Sequence, residues 1–226
     1  MVPGEERDAA ALAAAAGLNV VIPVYDQVDL LDVTGVYEML SWTGIRIDLA
    51  AARPGLVAAR AGFSFQVDKS FADVEGPCSA LWIPGGDPTA LAAMIADPDG
   101  PYLSFLRTQA ENATWVASVC EGALLAAAAG LLDGYEVTTH WAFIPCLMQS
   151  YPKVKVAAGY PRCVVDGNRL TGGGISSTLD EALKLIELLT DTGTAQRVQQ
   201  VTQYYPDPPV SSDIPHTLTC PLPASG

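Results

Sequence analysis

Cys120 closes the run Thr114–Val119, an apolar stretch of strand character that passes at once into Glu121-Gly122-Ala123 and a helix-forming segment. On so sharp a strand-to-helix turn the side chain is pushed out of the sheet with the helix N-terminus beneath it, the arrangement of a nucleophile elbow. The unpaired N–H groups of a first helical turn favour negative charge, and so favour thiolate over thiol. A cysteine placed there is expected to attack an electrophile. The other reading is a buried, inert cysteine, the commoner fate of the residue.

Few acids and bases could serve such a nucleophile. Asp26, Asp29 and Asp32 crowd one loop. Asp32, ahead of Val33-Thr34-Gly35, also fits a helix N-cap, and composition does not choose among the three. His140, between Thr138-Thr139 and Trp141, is one of two histidines; the other, His216, lies near the C-terminus. A Cys–His pair is a familiar means of activating a nucleophile, and a satisfied structural histidine is the alternative. Gly85-Gly86 and Gly172-Gly173-Gly174 allow backbone N–H groups to approach a ligand closely. With the N–H of Glu121 they could stabilise developing negative charge. They match neither GxGxxG nor GxxxxGK, and tight turns are the plain alternative.

These residues need a frame, and the apolar pattern supplies one. Asn19–Tyr25, Gly44–Ala51, Ala80–Pro84 and Thr114–Val119 are short apolar runs suited to strands buried on both faces. Residues 55–70 suggest a hairpin or a pair of edge strands. Helical spacing marks Val33–Trp42, 88–96, 99–111, the stretch after Cys120 to about Ala129, Trp141–Ser150, Ser176–Leu189 and Thr194–Tyr204. Asp166-Gly167-Asn168 is a hairpin turn between Arg162–Val165 and Arg169–Thr171. Strands alternating with helices predict a mostly parallel sheet covered on both faces. In such sheets ligands collect beyond the carboxyl ends of the strands. The Asp-rich loop, Pro84-Gly85-Gly86, Val119–Gly122 and Thr171–Ile175 all lie at such ends.

The 226 residues are half hydrophobic and only 16% charged, which excludes a disordered chain. A formal charge of −13 argues against nucleic acid or an anionic membrane as partner. Five cysteines, an odd number without a CxxC pair, indicate neither a disulfide framework nor a zinc site. No run reaches the ~18 apolar residues of a membrane span. The acidic start, Glu5 to Asp8, is unlike a secretory signal. The expectation is a cytoplasmic protein with reduced thiols. Residues 1–17 read as an appendage, 18–205 as one α/β domain, and 206–226 as a proline-rich tail laid over the surface or disordered.

Val119-Cys120-Glu121-Gly122-Ala123 together with Ile83-Pro84-Gly85-Gly86 resembles the DJ-1/PfpI superfamily, and within it the bacterial isocyanide (isonitrile) hydratases. Supporting segments, in order, are Leu31–Gly35, Ala129–Gly134, Thr138–Ala142, Asp166–Asn168 with Leu170–Ile175, and Ala195–Gln199, so that the likeness covers about residues 19–210. The resemblance implies a homodimeric, metal-free, cofactor-free α/β sandwich of flavodoxin-like type that hydrates an isocyanide to an N-substituted formamide. It places the catalytic cysteine at Cys120 and the essential acid at Asp32. Ile175 matches a residue whose backbone lies beside the cysteine, and His140 falls where the superfamily often has a supporting histidine. Gly85, Gly86 and Glu121 complete the implied pocket.

One departure stands out. The hydratases carry threonine immediately after the cysteine, and this chain has Glu121. A carboxylate beside a thiolate opposes its ionisation unless it turns away or is protonated. The same elbow could serve glyoxalase, deglycase, or amide or imide hydrolase chemistry, or a redox-sensing cysteine in a non-enzymatic protein.

Overall fold

The structure, a computed structural model, describes residues 15–223. The first part of the chain forms β1 (Asn19–Pro23), α1 (Leu30–Ser41), β2 (Arg46–Ala51), the hairpin of β3 (Gly55–Ala58) and β4 (Ser64–Val67), and β5 (Lys69–Ser70). Next come β6 (Ala80–Ile83), α2 (Pro88–Ile95), α3 (Pro101–Ala110), β7 (Trp115–Ser118) and α4 (Gly122–Ala128). Last come β8 (Glu136–Val137), α5 (Ile144–Ser150), β9 (Lys155–Val156), β10 (Cys163–Asp166), β11 (Arg169–Gly172), α6 (Ser177–Leu189) and α7 (Thr192–Val201).

Seven strands make one sheet in the order β10-β11-β7-β6-β1-β2-β5, parallel except where β10 pairs with β11. Because successive side chains of a strand point to opposite faces, the all-apolar runs fill two layers. Val20, Ile22, Ala80 and Trp82 pack with α1, α6 and α7, whereas Val21, Leu81 and Ile83 pack with α2 to α5. The result is the three-layer sandwich that the alternating pattern predicts.

From β1 the chain crosses to β2 on one side and later returns to β6 and β7 on the other. A crevice opens at such a reversal, outside the carboxyl ends of the strands. Here the loop after β1 is stitched to the loop after β6. The N–H of Asp29 donates to the Gly85 carbonyl at 3.0 Å and that of Asp87 to the Gln27 carbonyl at 2.8 Å.

Several expectations need amending. Trp141–Ser150 is not one helix: Trp141–Phe143 is a 3-10 turn, and α5 follows it. The parallel pair β8 and β9 is absent from the sequence reading, since two residues per strand display no alternation. The expectation of reduced thiols throughout fails at Cys146 and Cys220, which form a disulfide across 74 residues. The tail folds back onto α5, and no local spacing announces such a return. The N-terminal appendage lies outside the described residues except for 15–17, and Ala15 is buried against the core. Among the described residues, no helix is long and apolar enough to cross a membrane.

Candidate active site

Cys120 has φ of +54°, the left-handed region that a residue with a Cβ enters at a cost of about 1–3 kcal/mol. Neighbouring backbone holds it there. Its N–H donates to the Gly173 carbonyl at 2.9 Å, and its carbonyl accepts the Thr139 hydroxyl at 2.6 Å. Glycine is required at two adjoining positions. A Cβ on Gly122 would collide with the Ile83 carbonyl, and one on Gly85 would lie 2.8 Å from the Glu121 nitrogen and 2.9 Å from Cys120 Cβ. The elbow expected from the sequence is therefore present, clamped between the ends of β6, β7 and β11.

The expected state of the sulfur is not. Cys120 is completely buried rather than projecting to solvent. Its thiol is pushed well above its ordinary value, first by burial and then by the negative fields of Asp32 and Glu121. Magnitudes explain the reversal. A helix terminus contributes about 0.3–1 kcal/mol, up to about 2 in favourable sites. A carboxylate roughly 5 Å away in a protein interior contributes about 3 kcal/mol. Desolvation, together with the Glu121 carboxylate, outweighs the dipole, so the resting sulfur is a thiol.

The carboxyl groups divide by location. Asp26 is exposed and accepts the Ala58 N–H, tying the loop to β3. Asp29 occupies the N-cap position of α1 but caps nothing with its side chain, and Arg60 lies 3.7 Å from it. Asp32 sits in the first turn, which rules out the N-cap reading for it, and is completely buried. Its Oδ2 accepts the Gly85 N–H at 2.9 Å, and the indole of Trp82 donates to its main-chain carbonyl at 2.9 Å. Its Oδ1 lies 3.4 Å from the Thr178 hydroxyl, which also contacts the Ile175 carbonyl at 2.7 Å. A hydroxyl carries one proton, and the shorter bond claims it. The 3.4 Å contact to Asp32 is thus the weaker of the two. Burial, followed by the charge of Asp29, raises the Asp32 carboxyl well above the usual carboxylate range, in agreement with a neutral acid.

Glu121 does not turn away. It is buried, its Oε2 has no hydrogen-bond partner, and it lies beside the Cys120 thiol within the fields of Asp29 and Arg60. Burial raises its pKa to about 6. Asp29, Asp32, Cys120 and Glu121 each offer an atom within 4.8 Å of the other three. A cation at this cluster would have to displace protons from Asp32 and Cys120, both of which hold theirs more tightly than usual.

His140 stands outside the cluster, and with Ile175 it faces a neighbouring cavity. With Leu31, Trp141, Arg162 and Ile214 they help to line a cavity of about 420 Å3, within the range of small-molecule sites. The cavity adjoins the cluster through Thr139 and Gly173, the two residues bonded to the Cys120 backbone. The Nδ1 of His140 accepts the Ala142 N–H at 3.2 Å and so caps the 3-10 turn. Burial lowers its pKa, which leaves it neutral. Gly85 spends its N–H on Asp32, and the N–H predicted for an oxyanion there is already in use. Gly86 bridges to Val28 behind it.

Glu181, a residue the sequence reading passed over, is completely buried on α6, and neither carboxylate oxygen has a partner. Its signal was positional: Thr178, Glu181, Ala182 and Leu185 follow the spacing of a buried helix face. Burial and Asp32 raise its pKa well above the ordinary value. A carboxyl that binds its proton more tightly folded than unfolded stabilises at acid pH and loses that contribution as pH rises through the folded value. The Glu181→Gln protein should therefore unfold at higher temperature than wild type at pH 9, by on the order of 1 kcal/mol or more, and resemble it at pH 5. Thermal unfolding at the two pH values checks this; an equal offset at both contradicts it.

The chain as a whole has relatives of known kind. The model of the DJ-1/PfpI family matches residues 18–188. An isonitrile hydratase of Pseudomonas putida is 36% identical over 195 residues, covering 86% of this chain and 82% of its own. The HTH-type transcriptional regulator GlxA of Rhizobium meliloti is 31% identical over 148 residues, 64% of this chain but 42% of the regulator. The crystal structure of a ThiJ/PfpI family protein from Pseudomonas syringae superposes with a TM-score of 0.77 at 29% identity, covering 85% of this chain and 77% of that one. Fold, elbow and sequence agree, and the chain belongs to the DJ-1/PfpI family.

Proposed function

We propose that the protein hydrates an isocyanide to an N-substituted formamide through a covalent intermediate on Cys120. The observation that carries this reading is one thiol and two carboxyls of unlike acidity within 4.8 Å of one another. Such a pair of acids divides naturally into donor and acceptor. The similarity to an isonitrile hydratase over most of both chains supports the same substrate class.

Glu121, ionised above about pH 6, takes the thiol proton as Sγ attacks the terminal isocyanide carbon. Asp32 delivers its proton to that carbon, and the product is a thioimidate. Water then adds to the carbon while the Asp32 carboxylate accepts a proton from it. The proton held by Glu121 goes to nitrogen, Asp32 protonates the sulfur as the C–S bond breaks, and the remaining hydroxyl proton passes to the Asp32 carboxylate, so that formamide, thiol, neutral Asp32 and ionised Glu121 are left. The departure from threonine thus becomes a base for a sulfur that burial keeps protonated. The enzyme acts as a homodimer on a small molecule.

Two limbs of pH dependence follow. Turnover needs Glu121 ionised and Asp32 neutral, so kcat should rise through about pH 6 and fall again as pH rises through the raised pKa of Asp32. In Glu121→Gln the acid limb should vanish and kcat should drop by about 100-fold. A profile of the variant that still bends near pH 6 removes Glu121 from the reaction.

The test of the reading itself is direct. Purified protein is incubated separately with an alkyl isocyanide and with methylglyoxal. Formamide from the first is the expected product. Lactate from the second alone would transfer the same elbow to glyoxalase chemistry. Turnover of neither would favour a sensor role, which a buried, protonated thiol suits poorly.

A further inference from the structure

The tail beyond α7 contributes to the cavity through one residue. Ile214 is among the lining residues, while the others belong to α1, the 3-10 region and the segments around β10 and α6. The tail has little structure of its own. Residues 206–216 are exposed and contain four prolines, and an extended proline-rich segment has no internal hydrogen bonds to fix it. Its position must come from its anchors. On one side, the Tyr204 N–H donates to the Gln199 carbonyl, and Gln199 Nε2 donates to the Tyr204 carbonyl. On the other, Gln149 Nε2 donates to the Leu218 carbonyl, and Cys220 is bonded to Cys146. Cys220 and Leu222 also pack against the apolar layer of α2 to α5.

We propose that this strap is part of the substrate site: Ile214 sets the size of the group that reaches Cys120, and the Cys146–Cys220 disulfide holds Ile214 in place. The inference rests on the reading of the cavity as the approach to Cys120. A pocket wall that differs by a methylene or two discriminates ligands by about tenfold or more, so one isoleucine on a short tether is a workable gauge. Half of Ile214 is exposed, so the side chain faces both the cavity and solvent.

The tether can be released. A dithiol reductant attacks one sulfur of the pair, forming a mixed disulfide and freeing one cysteine. Its second thiol then displaces the other cysteine, closing a disulfide on the reductant and leaving two thiols on the protein. Cys220 is partly exposed while Cys146 is buried, so attack falls on the Cys220 side. Release leaves the segment after Ile214 with the Gln149 hydrogen bond and the packing of Leu222. The cavity would then admit larger groups.

The test does not depend on turnover. Cys120 is labelled with N-ethylmaleimide and with the bulkier N-pyrenylmaleimide, and its occupancy is followed by peptide mass mapping at pH 8.5. In wild type with the disulfide intact, the small reagent should react and the bulky one lag. Ile214→Ala, which keeps the disulfide, and Cys220→Ser, which lacks it, should each speed the bulky reagent at Cys120 by about tenfold, with a smaller effect on the small one. Ile214→Trp should slow both. An unchanged size ratio in Ile214→Ala and Cys220→Ser, or a Cys120 inert to both reagents in every variant, overturns the proposal. Lack of isocyanide turnover with the size effect intact removes the functional reading and keeps this one; turnover without the size effect does the reverse.

Discussion

Cys120→Ala should lower formamide production on the order of 10^3-fold or more while leaving the fold nearly unchanged. The exchange removes Sγ alone and keeps the Cβ that the elbow already accommodates at φ +54°. The clamp on the backbone, from Gly173 and Thr139, involves no side-chain atom of residue 120. Circular dichroism and thermal unfolding should therefore match wild type, and with the sulfur goes the only nucleophile of the buried cluster. Product release by this variant at even a tenth of the wild-type rate would show that water attacks the substrate without a thioimidate.

Asp32→Asn is the sharper probe, because the amide copies the neutral acid in everything but the proton it gives. The asparagine oxygen can accept the Gly85 N–H as Oδ2 does, and its NH2 can donate toward Thr178 where Oδ1 now lies. The expected loss in kcat is about 10^2–10^4-fold, with labelling of Cys120 by a maleimide retained, since the amide copies the uncharged state of the acid. The variant should also gain stability at alkaline pH. Burial raises the folded-state pKa of Asp32, so wild type loses stability as pH rises through that value, and an amide does not. Formamide production within a factor of a few of wild type would exclude Asp32 as the proton donor.

What the sequence revealed and what it hid follow a physical division. β1 and β6 were legible because a strand buried on both faces is apolar at every position, and their burial is complete. The elbow was legible because a strand, a lone polar residue and glycine occur in immediate succession. Asp26, Asp29 and Asp32 could not be separated, since their roles depend on where Gly85 and Ala58 arrive from distant parts of the chain. The charge of the sulfur was misjudged for the same reason. The helix below Cys120 is local, but the burial and the carboxyls that override it are brought by β6, α1 and the turn itself. Cys146 and Cys220 are joined only after the tail has folded back. Glu181 was the one buried feature with a local signature, an acid at a position whose spacing assigns it to the apolar face.

Trp82 has a use beyond packing. Its indole is completely shielded from solvent and donates to the main-chain carbonyl of Asp32. A small displacement of the first turn of α1, or a change of charge on that acid, alters the polarity felt by a chromophore that water never reaches. With Trp42, Trp115 and Trp141 replaced by phenylalanine, the emission wavelength of this one indole would follow events there without any attached dye.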